Sequence, residues 1–295
     1  MQFIIPHTLT DSALLASSIT PEDAAPAWSA STTYAVGTQV ILAATHSVYQ
    51  RVVAGVSATA PDADTTNWVR VRPTNRWAMF DQAVGTRTQD TGPITVTVRP
   101  PGVGAGLALL DLIATSVDIS VVEGGVTTYT TTIALHATDA TNWWDYFFGD
   151  MTYRTAVVVT GLPITTTCHV IVTIHGSGTV ACGTFAIGPV VDVGPTRMGA
   201  QLGIIDYSKK STDAFGNTTV TERAFAKRLT ATAFVDSGRV DFVARKLSDV
   251  RATPVVWIGT DIYDHTIVYG FFKDFGIDIQ YQKISVCSLT IEGLS

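Results

Sequence analysis

Ile94-Thr-Val-Thr-Val98 and, further along, Val117-Asp-Ile-Ser-Val121 decide the class of this fold. In each, branched aliphatic residues occupy every second position and small polar residues the positions between. Successive side chains of a strand point to opposite faces, so a period of two marks a half-buried strand with one apolar and one wet face. Val, Ile and Thr also favour pleated surfaces. Working outward, the signal returns at Leu107-Ala-Leu-Leu110, Tyr129-Thr-Thr-Thr-Ile133, Ala156-Val-Val-Val159, 168–174 and 180–187, with Gly and Pro between the runs. Short strands at this spacing predict a β-sandwich of jelly-roll type over residues 72–190.

Upstream lies a different texture. Trp28, Tyr34, Gly37, Val40, Tyr49, Gly55, Pro61 and Trp68 fall in one short span, separated by small and polar residues. Large rings supply the core that so small a unit needs, and residues 27–71 read as a compact β module. The spacing resembles the small chitin- and cellulose-binding modules of secreted chitinases. It departs from them at Thr38, where the family has Asp after the glycine, and in the tip Gly55-Val-Ser-Ala-Thr-Ala-Pro61. The resemblance implies that Trp28, Tyr34, Tyr49 and Trp68 contact carbohydrate. The alternative is that these rings are the module's own core. Prolines mark both its boundaries, 20–26 and 72–74, as those of an insertion that the rest of the chain tolerates losing. Residues 1–26 read as an extended arm and linker.

Arg72-Pro-Thr-Asn-Arg-Trp-Ala-Met-Phe-Asp81, Gly203-Ile-Ile-Asp-Tyr-Ser-Lys-Lys-Ser-Thr-Asp-Ala-Phe-Gly-Asn217 and the final seventy or so residues resemble structural tail proteins of tailed bacteriophages. That resemblance implies a virion component assembled in the host cytoplasm, whose partners are copies of itself and other tail proteins.

Beyond the boundary at Gly188-Pro-Val-Val-Asp-Val-Gly-Pro195 the period changes once. Val240, Val243, Ala244, Leu247 and Val250 follow helical spacing, with Ser237 as a candidate N-cap and Pro254 past the end. Residues 237–252 are therefore predicted helical among strands, and 191–295 is an α+β domain. The fold class is thus mainly β: a small aromatic β module, a β-sandwich, and a C-terminal α+β domain with one helix.

Composition narrows the function. The chain has 295 residues, of which 46% are hydrophobic and only 15% charged. Charge is usually nearer a quarter, so much surface is expected to meet other protein and the chain is not expected to remain a monomer. A net charge of −6 offers nucleic acid no electrostatic footprint. No run approaches the ~20 apolar residues of a membrane-spanning helix, and the start lacks the basic region of a secretory signal. Three cysteines argue against a disulfide framework. A hairpin turning at Gly176-Ser177 would set Cys168 opposite Phe185 and Cys182 opposite Ile171, their sulfurs about 10 Å apart, so both are expected as free, buried thiols.

Chemistry-bearing motifs are sparse. His169 and His175 would lie about 20 Å apart on one strand, too far to share a metal. His265 sits in a turn beside Tyr263. Gly102-Val-Gly-Ala-Gly106 lacks the spacing and the following helix of a phosphate loop. The acid pairs Asp145/Asp150 and Asp274/Asp278 serve equally as solvated carboxylates or as a glycosidase pair, which needs about 5–10 Å between carboxylates. Asn142-Trp-Trp-Asp-Tyr-Phe-Phe-Gly149 is either a sugar-stacking loop or a cluster that caps the sandwich or fills a subunit interface. No catalytic, metal or cofactor residue is assigned. The expectation is a noncatalytic structural tail protein, the alternative a receptor-binding tail protein that recognises host surface glycan.

Overall fold

The structure is a computed structural model. It describes residues 1–81, 83–137, 142–149, 152–212, 215–260, 263–279 and 282–294, with the side chains at 137, 145 and 146 left out. The fold is mainly β, and three large antiparallel sheets and one helix stack in layers.

The outermost layer is a five-stranded sheet in the order Val126–Ala134, Ser116–Glu123, His169–His175, Ile94–Val98, Leu14–Ser17. Its centre is a grid of branched residues in register. Val121, Val170 and Val98 face one another, as do Ile119, Val172 and Val96, and Val117, Ile174 and Ile94. All nine are buried; full burial of each stabilises by about 1.5–3 kcal/mol, an upper figure because the unfolded chain is itself partly collapsed. The alternate residues form the wet face, where Thr95 meets Thr173 at 3.1 Å and Asp118 accepts from Thr132 at 2.6 Å.

The second layer is a three-stranded sheet, Ala156–Ile164, Gly104–Leu110, Thr184–Gly188. Leu107, Leu109, Phe185 and Ile187 face the first layer and close the sandwich core. Ala108, Leu110, Ala156 and Ala186 face the other way, onto Ile4, Val256, Ile258, Ile267 and Tyr269 of the third layer. Covered on both faces, Gly104–Leu110 and Thr184–Gly188 carry one polar residue, Thr184. The small residues let the layers approach closely. A Cβ on Gly106 would lie 2.6 Å from Val190 and 2.8 Å from Ile4.

The third layer is a seven-stranded sheet, Val190–Asp192, Gln2–Ile4, Val255–Ile258, Ile267–Asp278, Ile284–Gly293, Phe225–Asp236, Gln201–Asp206. On its far face lies the helix Val240–Asp249, which buries Val243 and Leu247 against Trp257, Leu229, Ala233 and Leu289. A 3₁₀ turn, Ser237–Arg239, leads into it, and the cap is Asp236 rather than Ser237: the Asp236 carboxylate accepts from Gly238 N–H at 2.8 Å. Ile267–Asp278 is one long strand with an irregularity between Phe272 and Asp274.

Two other expectations need correction. Residues 1–26 are extended but not free. Gln2–Ile4 inserts in the seven-stranded sheet, with Phe3 opposite both Val191 and Trp257, and Leu14–Ser17 edges the five-stranded sheet. The short apolar patches of this segment are strands, too brief for period two to stand out. Nor do 168–174 and 180–187 form a hairpin. His169–His175 lies in the five-stranded sheet, whereas Val180–Cys182 pairs with Thr88–Asp90 and Thr184–Gly188 with Gly104–Leu110. The first strand alternates buried and half-buried residues, while the other two are buried throughout, so they belong to different layers. Cys168 and Cys182 are buried free thiols, as expected, and Cys287 is another.

Candidate functional site

The aromatic module is built from a three-stranded sheet, Gln39–Leu42, Ser47–Arg51, Trp68–Pro73, and a short pair, Thr33–Tyr34 with Gly55–Val56. It brings the four candidate sugar-binding rings together, and it does so as a core. Tyr34, Tyr49 and Trp68 are buried with Val40, and Trp28 packs half-buried on them. Tyr34 meets Trp68 edge-on at 5.1 Å and 71°. The Arg51 guanidinium closes another side of Trp68, 5.0 Å from the ring centre, with Asp64 at 3.6 Å.

The polar handles of these rings are spent inside the module. Trp28 Nε1 and Trp68 Nε1 both donate to Ser57 Oγ at 3.2 Å, a double load that a hydroxyl's two lone pairs can carry. Tyr34 Oη accepts from Ser29 N–H at 2.9 Å and donates to Ser29 C=O at 3.0 Å. Tyr49 Oη lies 3.2 Å from Thr45 Oγ1. Stacking on a pyranose needs an open ring face, and of the four only Trp28 retains substantial exposed surface.

Sequence reasoning missed the junction between this module and the sandwich. Asp23 is buried in it and holds Arg72 bidentately, at 2.6 Å to Nη1 and 2.9 Å to Nη2, while also accepting N–H bonds from Ala25 and Asn75. Burial alone would raise the Asp23 carboxyl; the Arg72 and backbone hydrogen bonds outweigh it and hold the group below the usual carboxylate range. Beside it, Glu22 accepts from Thr74 at 2.7 Å and meets His46 Nδ1 at 2.9 Å, and Asp11 reaches His46 Nε2 at 2.5 Å.

The imidazole of His46 stacks on Trp77 at 4.1 Å and 21°, and edge-on contacts then run from Trp77 to Phe80 and from Phe80 to Phe185 in the sandwich. The segment 72–81 is thus a bolt, and Met79 at its centre sits in the sandwich core. The signal available in the sequence was a carboxylate pair, Glu22 and Asp23, at one module boundary and Arg72 at the other.

Among the described residues, two groups of exposed apolar side chains stand out. Trp143–Phe148, within the segment weighed as a sugar-stacking loop or a packing cluster, forms a short helix on which Trp143 and Phe147, and Trp144 and Phe148, lie ring against ring at 6.2 and 4.5 Å. All four rings are exposed, from 68% to 78%. Of the nearby acids, Asp150 lies outside the described residues. The second is formed by Leu202, Ile204, Tyr207 and Phe225 on and beside the edge strand Gln201–Asp206, next to the hairpin Lys209–Thr212 with Thr218–Thr221, whose strand residues are all exposed and, Val220 apart, polar.

The other candidates are accounted for locally. His169 contacts Arg99 at 3.0 Å and His175 pairs with Asp118 at 2.8 Å. His265 is exposed in the turn Asp264–Thr266. Asp274 and Asp278 are exposed on one strand. Among the described residues no three His, Cys, Asp or Glu side chains converge as metal ligands. No family model matches this chain, and no curated protein matches it.

Proposed function

We propose that this chain is a noncatalytic structural component of a bacteriophage tail, assembled with copies of itself and with other tail proteins. The observation that carries the reading is the hairpin. It continues the edge strand Gln201–Asp206 beyond the seven-stranded sheet, and Leu202, Ile204, Tyr207, Phe215, Val220 and Phe225 on and around it are all exposed or nearly so. A lone two-stranded hairpin is marginal in water, and a run of exposed apolar residues beside an open sheet edge favours pairing with another chain. The stretch 203–217, whose sequence resembles tail proteins, includes most of this edge strand and the first arm of the hairpin. Buried, unbridged thiols suit assembly in a reducing compartment.

Two measurements test it. Replacing 208–222 by a short Gly/Ser turn should leave circular dichroism unchanged and convert oligomers into monomers in sedimentation velocity. A wild-type chain that sediments as a monomer at micromolar concentration would overturn self-assembly. A particle map should place many copies along a tail; finding none in the particle overturns the virion reading.

The exposed Trp143, Trp144, Phe147 and Phe148 favour a second role, recognition of host surface glycan, because open ring faces in a row suit pyranose stacking. Each ring would contribute on the order of 1 kcal/mol, and many copies would be needed for useful avidity. Trp144→Ala should then lower binding to a polysaccharide array without changing assembly. Unchanged array binding removes this role, and a loss of assembly assigns the rings to a subunit interface.

A further inference from the structure

A cleft of about 420 Å³ opens where the end of the seven-stranded sheet meets the three-stranded sheet. Its walls are mainly apolar, including Val84, Leu110, Ala156, Phe225, Val268 and Leu294. Clefts of this size between packed units are where small ligands usually sit, oriented by a few polar groups.

Both arginines near it are already paired. Arg87 is held bidentately by Asp111. Arg154 is likewise held by Asp264, with Nε at 2.9 and 3.0 Å from its two oxygens. Each arginine thus cancels one aspartate. The remaining cation is Lys227, which lines the cleft and makes no hydrogen bond and no ion pair within 4.0 Å among the described residues. Asp264 and Asp111 act on its ammonium only from farther away.

Burial lowers the Lys227 pKa against the pull of those two carboxylates, so the site strips water from the ammonium without supplying a counter-ion. Tyr269 also lines the cleft. Its phenol, pushed up to about 12 by burial first and then by Asp81, stays protonated and can donate.

We propose that this cleft binds a small amphipathic monocarboxylate, with its carboxylate on Lys227 and its aliphatic or aromatic body against Val84, Leu110, Phe225 and Leu294. An anion is selected because Lys227 faces the cleft with no carboxylate within 4.0 Å of its ammonium among the described residues. A compact apolar body is selected because the walls offer few other hydrogen-bond partners.

Octanoate is the probe and octanol its neutral counterpart, titrated into the full chain by calorimetry and by NMR. Octanoate should bind saturably, one per chain, and more weakly as salt rises. Octanol should bind at least about tenfold more weakly, since a charge-assisted contact is what distinguishes the two. Lys227→Met should lose roughly 10- to 100-fold in octanoate affinity by the same reasoning, while Lys227→Arg, which keeps the charge, retains binding. Should Lys227→Met fail to fold, the ratio of octanoate to octanol on the wild-type chain still decides. Equal affinity for the two probes, no saturable octanoate binding, or an unaffected Lys227→Met variant overturns the proposal.

Discussion

Replacing Asp23 by Asn should release the aromatic module from the body while leaving both folded. The Asp23 side chain is 1% exposed and accepts four N–H bonds, two from Arg72 and one each from Ala25 and Asn75. An amide in its place turns one acceptor oxygen into a donor that faces other donors, and it removes the one carboxylate that holds Arg72 among the described residues. Each buried donor left without an acceptor costs about 1–3 kcal/mol, and breaking a buried ion pair costs about 3–5 kcal/mol. Arg72 keeps 40% exposure and can turn to water, which places the expected loss nearer 2–4 kcal/mol at the junction.

That corresponds to an increase of about 30-fold or more in the open population, read as the rate of trypsin cleavage within 70–76 and as a change in Trp77 fluorescence when His46 leaves its ring. The acid dependence carries a further sign. A carboxyl held below its ordinary pKa of about 4 contributes stability that is present above that value and lost as pH falls through the lower folded one. The wild-type junction should therefore loosen in acid, whereas Asp23→Asn, already loosened, should show no such step. Equal cleavage rates with identical pH profiles would refute the reasoning.

Leu247→Ala, at a site fully buried beneath the helix, should cost about 2–5 kcal/mol in chemical denaturation and should not alter the aromatic module. If the loss is under about 1 kcal/mol, the helix is not clamped as described. The thiols of Cys182 and Cys287, pushed up to about 12 and about 11 by burial, should resist a thiolate-directed disulfide reagent at neutral and mildly alkaline pH until denaturant is added. Prompt reaction of the native chain would contradict that.

What the sequence displayed depended on whether one segment's pattern reported its own surroundings. Ile94–Val98 and Ser116–Glu123 have one wet face each, and their alternation is legible. The helix is legible for the same reason, since Val243, Leu247 and Val250 mark its single buried face. Gly104–Leu110 and Thr184–Gly188 are apolar on both faces, and nothing in such a run says which layer it joins. This is why Cys168 and Cys182 were placed in a hairpin that does not exist.

Proline at a module boundary was read as a sign of looseness, but proline limits only backbone angles. The strength of that boundary resides in Asp23 and Arg72, far apart in sequence. For the candidate sugar site, ring type was visible and ring exposure was not. Trp68 and Trp144 look alike as letters, yet one is a core residue and the other lies open to solvent.

The strand Gln2–Ile4 has a consequence in time. Its partners, Val190–Asp192 and Val255–Ile258, are made by the ribosome long after it. Until both emerge, Phe3 and Ile4 have nowhere to be buried, and the gap between the two later strands cannot close without them. The sandwich and module can mature earlier, but the seven-stranded sheet is sealed only when this earlier segment takes its place between the edge strand Val190–Asp192 and Val255–Ile258. Contacts so remote in sequence are slow to form, and an unsealed sheet presents open edges to its neighbours. In a crowded cell making many copies at once, the hazard is greatest in that interval, and a chaperone that shields the gap would raise the yield of folded chain more than one that acts on the module.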